Sequence, residues 1–359
     1  MGRALELASA ARRRTAPNPW VGCVVVRDGL IVGEGATQPP GQAHAEIEAL
    51  RAAGDAAAGA TAFVTLEPCS FSGRTGPCAD ALVGGGIARV VVAIEDPDPR
   101  VAGTGIGRLR EAGVQVDVGA RAEAATTLLA PYLFQRRTGV PYVVAKLATS
   151  LDGKVAAADG TSQWITSEAA RADAHELRAD SQAVVVGSGT AIADHPALTV
   201  RDVDPLPARH PLRVVLDGRG RVPAAGPLFD PELAPTLIIT TDRAPTAAVD
   251  AWSAAGAKVG VVPTAANGTG VDLGDAIALL GREGALQVLV EGGGALVGAL
   301  LAERRVQRLV TYVAPVILGE RGRPGYALPG PDTLANATRY RLVDSAPIGT
   351  DLRCIYEEA

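Results

Sequence analysis

The chain has 359 residues and a formal net charge of -5 at neutral pH. Because domains usually comprise about 100–200 residues, this length predicts two domains that each bury a core. Hydrophobic residues make up 47% of the chain and charged residues 20%, which excludes an intrinsically disordered protein. The acidic balance disfavours a protein that binds nucleic acid through a basic surface.

The cysteine count and the N-terminal pattern bear on location. Four cysteines are too few for a disulfide framework and indicate reduced thiols in a cytoplasm. The first residues, MGRALELASAARRR, predict an amphipathic helix whose order of charges is opposite to that of a signal peptide. No apolar run approaches the ~20 residues that cross a bilayer. We therefore expect a cytoplasmic protein without a membrane partner.

Helix and strand signals alternate through residues 1–139 and predict one layered α/β domain. A helix at 2–14 precedes a hairpin whose turn is Asp28-Gly29, and another helix opens near Gln42. The following strands are expected at TAFVTL, RVVVAI and VQVDV, with helices near 77–84, 104–112 and 120–137. This order predicts a three-layer sandwich with the sheet in the middle. The polar segment QRRTGVP marks the domain boundary.

Residues 140–359 repeat the alternation and predict a second α/β domain. Strands are expected at YVVAKLA, SQAVVVGS, LRVVLD, TLIIT, AKVGVV, LQVLVE and QRLVTYV, and helices near 167–180, 272–283 and 294–304. The segments near 202–211 and 219–235 are rich in Pro, Asp and Arg, which predicts loops.

Three side chains of the first domain form a candidate zinc site. His44 lies at the start of a helix, Cys69 follows the strand TAFVTLE, and Cys78 comes after eight intervening residues. The arrangement matches the signature of zinc deaminases, although the gap between the cysteines is shorter there. His44 is the only histidine before residue 175, and Cys23 lies inside an apolar strand. Three protein ligands leave a tetrahedral zinc with a fourth position for water, as in catalytic sites.

Glu46 is the candidate acid/base residue. Side chains two residues apart point in different directions on a regular helix. The side chains of His44 and Glu46 can therefore converge only if both project from the first turn of a helix. The dipole at a helix N-terminus would also favour a neutral imidazole and thiolate ligands. We expect Glu46 to carry a proton from the attacking water to the departing ammonia of a pyrimidine. The alternative is a structural zinc site with an incidental glutamate, but a closed site requires a fourth protein ligand.

The segments TAPNPWVGCVVVRDG, HAEIEAL and EPCSFSGRTGPCADAL resemble the deaminase half of the bifunctional riboflavin-biosynthesis deaminase/reductase family. The resemblance spans nearly the whole chain. It implies a cytidine-deaminase-like three-layer domain followed by a dihydrofolate-reductase-like α/β domain. The implied substrate is 2,5-diamino-6-ribosylamino-4(3H)-pyrimidinone 5′-phosphate, whose pyrimidine the Asn18 amide would help to hold. The alternative for Asn18 is a turn residue before Pro19.

The cysteine loop departs from the family pattern. Members often carry histidine at the positions of Phe71, Ser72 and Thr37, and proline at that of Gly76. We expect zinc ligation to survive these changes, and Arg74 to compensate as a partner of the substrate phosphate. Two alternatives remain. One is a paralogue that has lost or altered an activity; the other is a nucleobase or tRNA deaminase, which would need a basic surface and would not explain the second domain.

The segments KLATSLDGKVA and DGTSQWIT resemble the reductase half of the family, which implies NADPH reduction of the ribosyl side chain to ribityl. The resemblance assigns substrate positions to Ser162, Arg178, Leu198, Arg201 and Glu291. It assigns cofactor positions to Ala148, Trp164, Thr190, Asp194, Gly218, Gly293, Gly294, Ala295, Leu296, Val297, Gly298 and Ala299. We expect Arg178 and Arg201 to clamp the ribose phosphate and Glu291 to hold a ribose hydroxyl.

Two glycine-containing turns are among the assigned cofactor positions. The strand LQVLVE runs into Gly292-Gly293-Gly294, whose amides at a helix start can bind a phosphate, although a tight strand-to-helix turn explains the glycines equally well. Gly218 stands where the family often has serine, and we expect Arg219 or Arg221 to meet the 2′-phosphate of NADPH.

A strand and turn near the start of the second domain carry further polar residues. Lys146, Asp152 and Lys154 could face the reductase site, the alternative for Asp152 and Lys154 being a solvated turn. We further expect a homo-oligomer, either a dimer or a tetramer.

Overall fold

The computed structural model describes residues 1–71 and 76–358. The chain divides into two compact units: the first is Met1–Val140, and the second begins at Pro141. In this described part, no helix combines the length and the hydropathy required to span a bilayer.

The first unit is built on one mixed sheet. Its strands are β1 (Gly22–Arg27), β2 (Leu30–Ala36), β3 (Thr61–Val64), β4 (Arg89–Val92) and β5 (Gln115–Val118). Its helices are α1 (Gly2–Thr15), α2 (Ala45–Ala53), α3 (Cys78–Gly84), α4 (Thr104–Glu111) and α5 (Ala122–Thr138), with a 3-10 turn at Gly54–Ala57. The strand order is β2-β1-β3-β4-β5. β1 pairs antiparallel with β2 and β3, whereas β3, β4 and β5 are parallel.

Helices cover both faces of this sheet. A Cβ atom on Gly22 would lie 1.9 Å from the carbonyl oxygen of Ala4 in α1, and one on Gly35 would lie 2.2 Å from that of Ala45 in α2. Gly35 is paired with Cys23, the neighbour of Gly22, and successive residues of a strand face opposite sides. α1 and α2 therefore pack on opposite faces, and the three-layer sandwich predicted from the sequence is confirmed.

The second unit contains a nine-stranded sheet in its described residues. The strands of this sheet are β6 (Tyr142–Ser150), β8 (Ala183–Gly187), β9 (Leu212–Leu216), β10 (Thr236–Thr240), β11 (Lys258–Val261), β12 (Gln287–Val290), β13 (Arg308–Ala314), β15 (Tyr340–Ile348) and β16 (Asp351–Glu358). A separate ribbon pairs β7 (Lys154–Ala156) with β14 (Arg323–Pro324). The helices are α6 (Glu168–Ala179), α7 (Ser188–Asp194), α8 (Thr246–Ala254), α9 (Leu273–Arg282) and α10 (Gly294–Ala302), with 3-10 turns at Pro227–Phe229 and Leu334–Asn336.

The order of the large sheet is β11-β10-β9-β8-β12-β6-β13-β16-β15. The strands from β11 to β13 are parallel, and the β15–β16 hairpin adds an antiparallel edge. Central strands are buried, as the complete burial of Val184, Leu289 and Ala145 shows. Because parallel strands end at the same edge, the loops after β6, β8, β9 and β12 meet there, where open α/β sheets bind their ligands.

Several elements differ from the prediction. α2 begins at Ala45 and not near Gln42, because the Gln42 amide closes a turn on the Pro39 carbonyl. α8 was missed since it buries only Trp252 and so shows no apolar stripe. β15 was missed because most of its residues are exposed. The loop predicted at 202–211 is confirmed.

Candidate active sites

His44 and Glu46 both lie at the start of α2. His44 is the N-cap of the helix, and Glu46 is in its first turn with 4% of its surface exposed. The absence of a side chain on Gly35 lets the backbone of this first turn press against β2. The two side chains are therefore carried by the helix start, as the sequence predicted.

The two cysteines are joined by contacts at the start of α3. Cys78 is the first residue of that helix, and its backbone amide donates a hydrogen bond to Sγ of Cys69 at 3.3 Å. The carbonyl of Cys69 accepts a hydrogen bond from the amide of Ala79 at 3.1 Å. Nδ1 of His44 lies 3.3 Å from Sγ of Cys78 and 3.7 Å from Sγ of Cys69. All three potential ligand atoms lie within 4.8 Å of one another.

The donor set and its dimensions fit a zinc ion. Tetrahedral zinc with Zn–N of about 2.0 Å and Zn–S of about 2.3 Å places the nitrogen and sulfur ligands roughly 3.5 Å apart. The observed nitrogen–sulfur distances, 3.3 and 3.7 Å, lie on either side of that value. One imidazole and two thiols also leave one ligand position to water, which is the pattern of catalytic zinc.

Burial and mutual contacts shift the pKa values of the side chains in this site. Hydrogen bonds from the Cys78 thiol and from His44 lower the pKa of Cys69 to about 4, whereas the pKa of Cys78 is raised because its thiol donates to Cys69 and is buried. The hydrogen bond to Cys69 raises the pKa of His44. Burial, with the negative charge of Cys69, raises the pKa of Glu46 to about 7. A buried carboxylate with a raised pKa therefore lies beside the three ligand atoms.

The other deaminase positions show different contacts. The half-buried Asn18 donates its backbone amide to the Thr15 carbonyl, in a turn after α1. Oγ1 of Thr37 accepts a hydrogen bond from the Val21 amide, so this buried residue ties the end of β2 to the segment before β1. The ring of Phe71 lies under the guanidinium of Arg100, 4.7 Å from it. Ser72 and Arg74 lie outside the described residues.

The reductase positions cluster at the carboxyl edge of the large sheet. Ala148 is in β6, Thr190 is in α7 directly after β8, and Glu291 follows β12. The amide of Gly293, the N-cap of α10, donates a hydrogen bond to Oγ1 of Thr190 at 3.3 Å. The edge thus brings together positions that lie more than a hundred residues apart in the chain.

Arg178 and Glu291 form a two-point ion pair. Nε and Nη2 of Arg178 donate to Oε1 and Oε2 of Glu291 at 2.5 and 2.8 Å, and Nη1 donates to the Thr199 carbonyl at 2.8 Å. Burial alone would raise the pKa of Glu291, but Arg178 and the nearby Lys146 lower it to about 2. Burial lowers the pKa of Lys146. The bidentate face of Arg178 is therefore occupied by Glu291, which differs from the expected phosphate clamp.

Leu198 and Arg201 lie in the loop after α7. Leu198 is 3% exposed and packs in a core cluster with Val184 and Ile238, so only its backbone remains for a ligand. Arg201 is exposed, and its amide donates to Nδ1 of His175. The resemblance assigned a substrate position to Leu198 without distinguishing its backbone from its side chain, which is buried.

Trp164 and Asp194 are exposed, and Ser162 is half-buried. The guanidinium of Arg171 lies over the Trp164 ring, 4.5 Å from its centroid. Even so, 68% of the tryptophan surface is exposed. Trp164 therefore offers an aromatic face at the surface of the second unit.

Packing explains two glycines of the run in α10. A Cβ atom on Gly294 would lie 2.2 Å from the Pro324 carbonyl oxygen, and one on Gly298 would lie 2.4 Å from that of Ala327. The Ala327 amide also donates to the Gly294 carbonyl at 3.2 Å. The lack of a side chain at Gly294 and Gly298 thus lets the backbone of residues 324–327 pack directly against α10. Val297 is fully buried beside them. Leu296 and Ala299 are half-buried, and Ala295 is exposed.

The turn after β9 carries two arginines. The buried carboxylate of Asp217 accepts hydrogen bonds from the amides of Arg219, Arg221 and Val222. Nη2 of Arg221 donates to Oγ of Ser188 at 2.5 Å, at the start of α7. A Cβ atom on Gly218 would lie 2.9 Å from the backbone of Gly270, so the serine common in the family would require that neighbouring loop to shift.

Asp152 has a structural role that sequence reasoning missed. Its carboxylate accepts hydrogen bonds from Oγ of Ser150 and from the amides of Leu318 and Gly319, at 2.6, 3.1 and 2.8 Å. The turn after β6 therefore anchors a loop that follows β13, and Asp152 is more than part of a solvated turn.

Comparison with known proteins gives matches over both units. The cytidine and deoxycytidylate deaminase zinc-binding region matches residues 1–94, and the RibD C-terminal domain matches residues 141–354. The riboflavin biosynthesis protein RibD of Chlamydia pneumoniae is 44% identical over 358 residues, covering 99% of this chain and 94% of that protein.

Solved structures match over the same length. RibD of Acinetobacter baumannii, form 1, has a TM-score of 0.90 and 38% identity, covering 100% of this chain and 97% of that one. A Thermotoga maritima structure has a TM-score of 0.86 and 30% identity with the same coverage. It is described as a diaminohydroxyphosphoribosylaminopyrimidine deaminase/5-amino-6-(5-phosphoribosylamino)uracil reductase.

A zinc-binding domain of the cytidine-deaminase type, followed by a reductase domain, defines the class as a two-domain hydrolase and oxidoreductase. With 44% identity over 99% of its length, the chain belongs to the RibD family of riboflavin biosynthesis proteins. The predicted fold, the deaminase and reductase activities, and the dependence on zinc and NADPH are confirmed. These comparisons support neither a paralogue that has lost an activity nor a nucleobase or tRNA deaminase.

Proposed function

We propose that His44, Cys69 and Cys78 hold the zinc ion while Glu46 moves the proton during deamination. The proposed substrate is 2,5-diamino-6-ribosylamino-4(3H)-pyrimidinone 5′-phosphate, as the description of the Thermotoga maritima relative suggests. The observation that carries the proposal is the convergence of three ligand atoms within 4.8 Å beside a carboxylate that is 4% exposed.

Each of these residues has a defined task. Zinc, when bound, supplies hydroxide from water at neutral pH. Glu46 takes the proton from the attacking water and gives it to the amino group that leaves the pyrimidine as ammonia. Glu46 is 4% exposed, so little of it is open to bulk water. Asn18 and Arg74 remain the proposed contacts to the pyrimidine and its phosphate.

We propose that the reductase site follows the carboxyl edge of the large sheet. NADPH supplies the hydride that reduces the ribosyl side chain. Ala148, Trp164, Thr190, Asp194, Gly218 and the run from Gly293 to Ala299 are the proposed cofactor contacts. Glu291, held by Arg178 and close to Lys146, is proposed to bind the ribosyl hydroxyls. Arg201 is the proposed phosphate contact, because Arg178 is engaged by Glu291.

Three further expectations belong to the proposal. The four cysteines are free thiols, which suits a reducing cytoplasm and the proposed ligand role of two of them. A homo-oligomer stays a prediction. Ser162 and the backbone of Leu198 remain proposed substrate contacts.

The test is turnover of the diaminopyrimidine ribosyl phosphate, with ammonia release and NADPH oxidation followed separately. We expect ammonia release without NADPH, and NADPH oxidation only after deamination. Free cytosine and tRNA serve as competing substrates. Deamination of either in preference to the pyrimidine phosphate, or bound zinc without ammonia release, would contradict the proposed substrate.

A further inference from the structure

Glu67 lies two residues before Cys69, just beyond the end of β3, and is 3% exposed. Its carboxylate is hydrogen-bonded to the loop that leads into α4 and to the start of that helix. Oε2 accepts hydrogen bonds from the amides of Asp96 and Gly103, at 3.2 and 3.0 Å. Oε1 accepts from the amides of Gly105 and Ile106, at 2.9 and 3.1 Å.

These contacts give α4 the cap that its own sequence lacks. The N-cap of α4 is Gly103, which has no side chain, and the first turn from Thr104 contains no acidic residue. The first amides of a helix need acceptors, and a negative charge at that end is stabilised by the helix dipole. Glu67 supplies both from a distant part of the chain. Such a charge-assisted contact is stronger than one made by a neutral side chain.

Other residues of α4 contact the two segments that carry Cys69 and Cys78. A Cβ atom on Gly105 would lie 1.9 Å from the Pro68 carbonyl oxygen, so α4 lies directly against the residue between Glu67 and Cys69. Arg108 donates to the carbonyl of Ser70 at 3.2 Å and forms an ion pair with Asp80 in α3. α4 therefore contacts both the loop that carries Cys69 and the helix that begins at Cys78.

We propose that Glu67 is a positioning residue of the zinc site: by capping α4, it fixes the loop that holds Cys69 at its distance from Cys78. The inference rests on the proposed roles of those cysteines as ligands. Glutamine at position 67 has the same size but only one acceptor oxygen, and its NH2 group would face amide donors. Residues that orient metal ligands commonly change metal affinity by about 10- to 100-fold when they are replaced.

The experiment measures zinc release from the full zinc-loaded chain to a chromogenic chelator, at a temperature where every variant is folded. We expect Glu67→Gln to release zinc about 10- to 100-fold faster than the wild type. In the cobalt-substituted protein, its absorption spectrum should shift. The kcat for ammonia release should fall more than KM changes. NADPH oxidation by the second unit, measured with pre-deaminated substrate, should remain at the wild-type level.

Arg108→Ala provides a second variant that is expected to fold, since the Arg108 side chain is 48% exposed. It should accelerate zinc release as well, by a smaller factor. The matched controls are Arg110→Ala, on the same helix but in contact with the Val116 carbonyl, and Tyr132→Phe, whose hydroxyl bonds Asp96. Wild-type zinc release by both test variants, or equal acceleration by the controls, would overturn the inference. A Cys69→Ser variant tests the ligand assignment separately. If that variant retains zinc, the assignment of Cys69 as a ligand is wrong, whatever the result for Glu67→Gln.

Discussion

Arg178 donates hydrogen bonds to both carboxylate oxygens of Glu291 at the carboxyl edge of the large sheet. Only 15% of the arginine side chain and 10% of the glutamate side chain are exposed. Burial makes each charge costly without the other, because neither can be solvated fully by water. The pair is therefore both a proposed substrate contact and a condition for the stability of this edge.

Replacement of Glu291 by Gln leaves the Arg178 charge buried and unpaired. We expect it to destabilise the second unit by about 3 kcal/mol and to abolish NADPH oxidation while ammonia release continues. Chemical denaturation measures the first effect. Glu283→Gln is the matched control, because Glu283 pairs with an exposed Lys258 and its loss should cost less than about 1 kcal/mol. Equal effects of the two substitutions would contradict the role given to burial.

The destabilisation caused by Glu291→Gln should depend on pH. Arg178 and Lys146 lower the pKa of Glu291 to about 2 in the folded protein, against ~4.3 in an unfolded chain. A lowered pKa contributes stability that is present above the unfolded value and is lost as the pH falls through the folded one. The difference in unfolding free energy between wild type and variant should thus shrink between about pH 4.3 and pH 2. A difference that stays constant across this window would be inconsistent with the ion pair.

Arg221 should determine the preference for NADPH over NADH. It is exposed near the carboxyl edge of the large sheet, where its guanidinium donates to Ser188, whereas the contact that the structure describes for Arg219 is a hydrogen bond from its backbone amide to Asp217. We expect Arg221→Ala to weaken NADPH binding about 10- to 100-fold, the cost of one or two charge-assisted hydrogen bonds, and to leave NADH binding unchanged. Fluorescence titration with both nucleotides measures this. Arg219→Ala is the control and should have the smaller effect; parallel losses for NADPH and NADH would exclude a 2′-phosphate contact.

Gly298→Ala should destabilise the second unit although alanine favours helices. The added Cβ atom would lie 2.4 Å from the Ala327 carbonyl oxygen, so backbone must move, at a cost of about 1–3 kcal/mol. Gly107→Ala in α4 is the control, because apart from the adjoining residues and backbone of α4 its Cβ would meet no heavy atom of the described residues within 4 Å. It should stabilise the first unit by about 0.5–1 kcal/mol. Thermal unfolding distinguishes the two directions, and a stabilised Gly298→Ala variant would contradict the packing explanation.

The convergence of the candidate zinc ligands was predictable because its signals are local. His44 and Glu46 share one helix start, and the cysteines follow a strong apolar strand with a helix immediately after it. The seven parallel strands of the second unit were likewise predictable, since each is a short apolar run between turn residues. Periodicity and residue type carry this information without knowledge of the tertiary structure.

Other parts depend on contacts between distant residues. Arg178 and Glu291 are 113 positions apart, so nothing local indicates that the arginine is bound by a protein carboxylate. The glycines of α10 admit a segment that follows about thirty residues later, and no motif predicts that crossing. Glu67 resembles an ordinary residue before Pro68, and only the fold brings α4 to its carboxylate. Each of these roles arises from tertiary packing.

The proposed deamination requires Glu46 as the proton carrier beside a bound zinc ion. Glu46→Gln should retain one zinc ion for each chain and full NADPH oxidation with pre-deaminated substrate, while ammonia release falls by about 10²- to 10⁴-fold. Parallel measurement of zinc content and ammonia release in wild type and variant provides the test. A variant that binds zinc and releases ammonia at the wild-type rate would show that another group moves the proton.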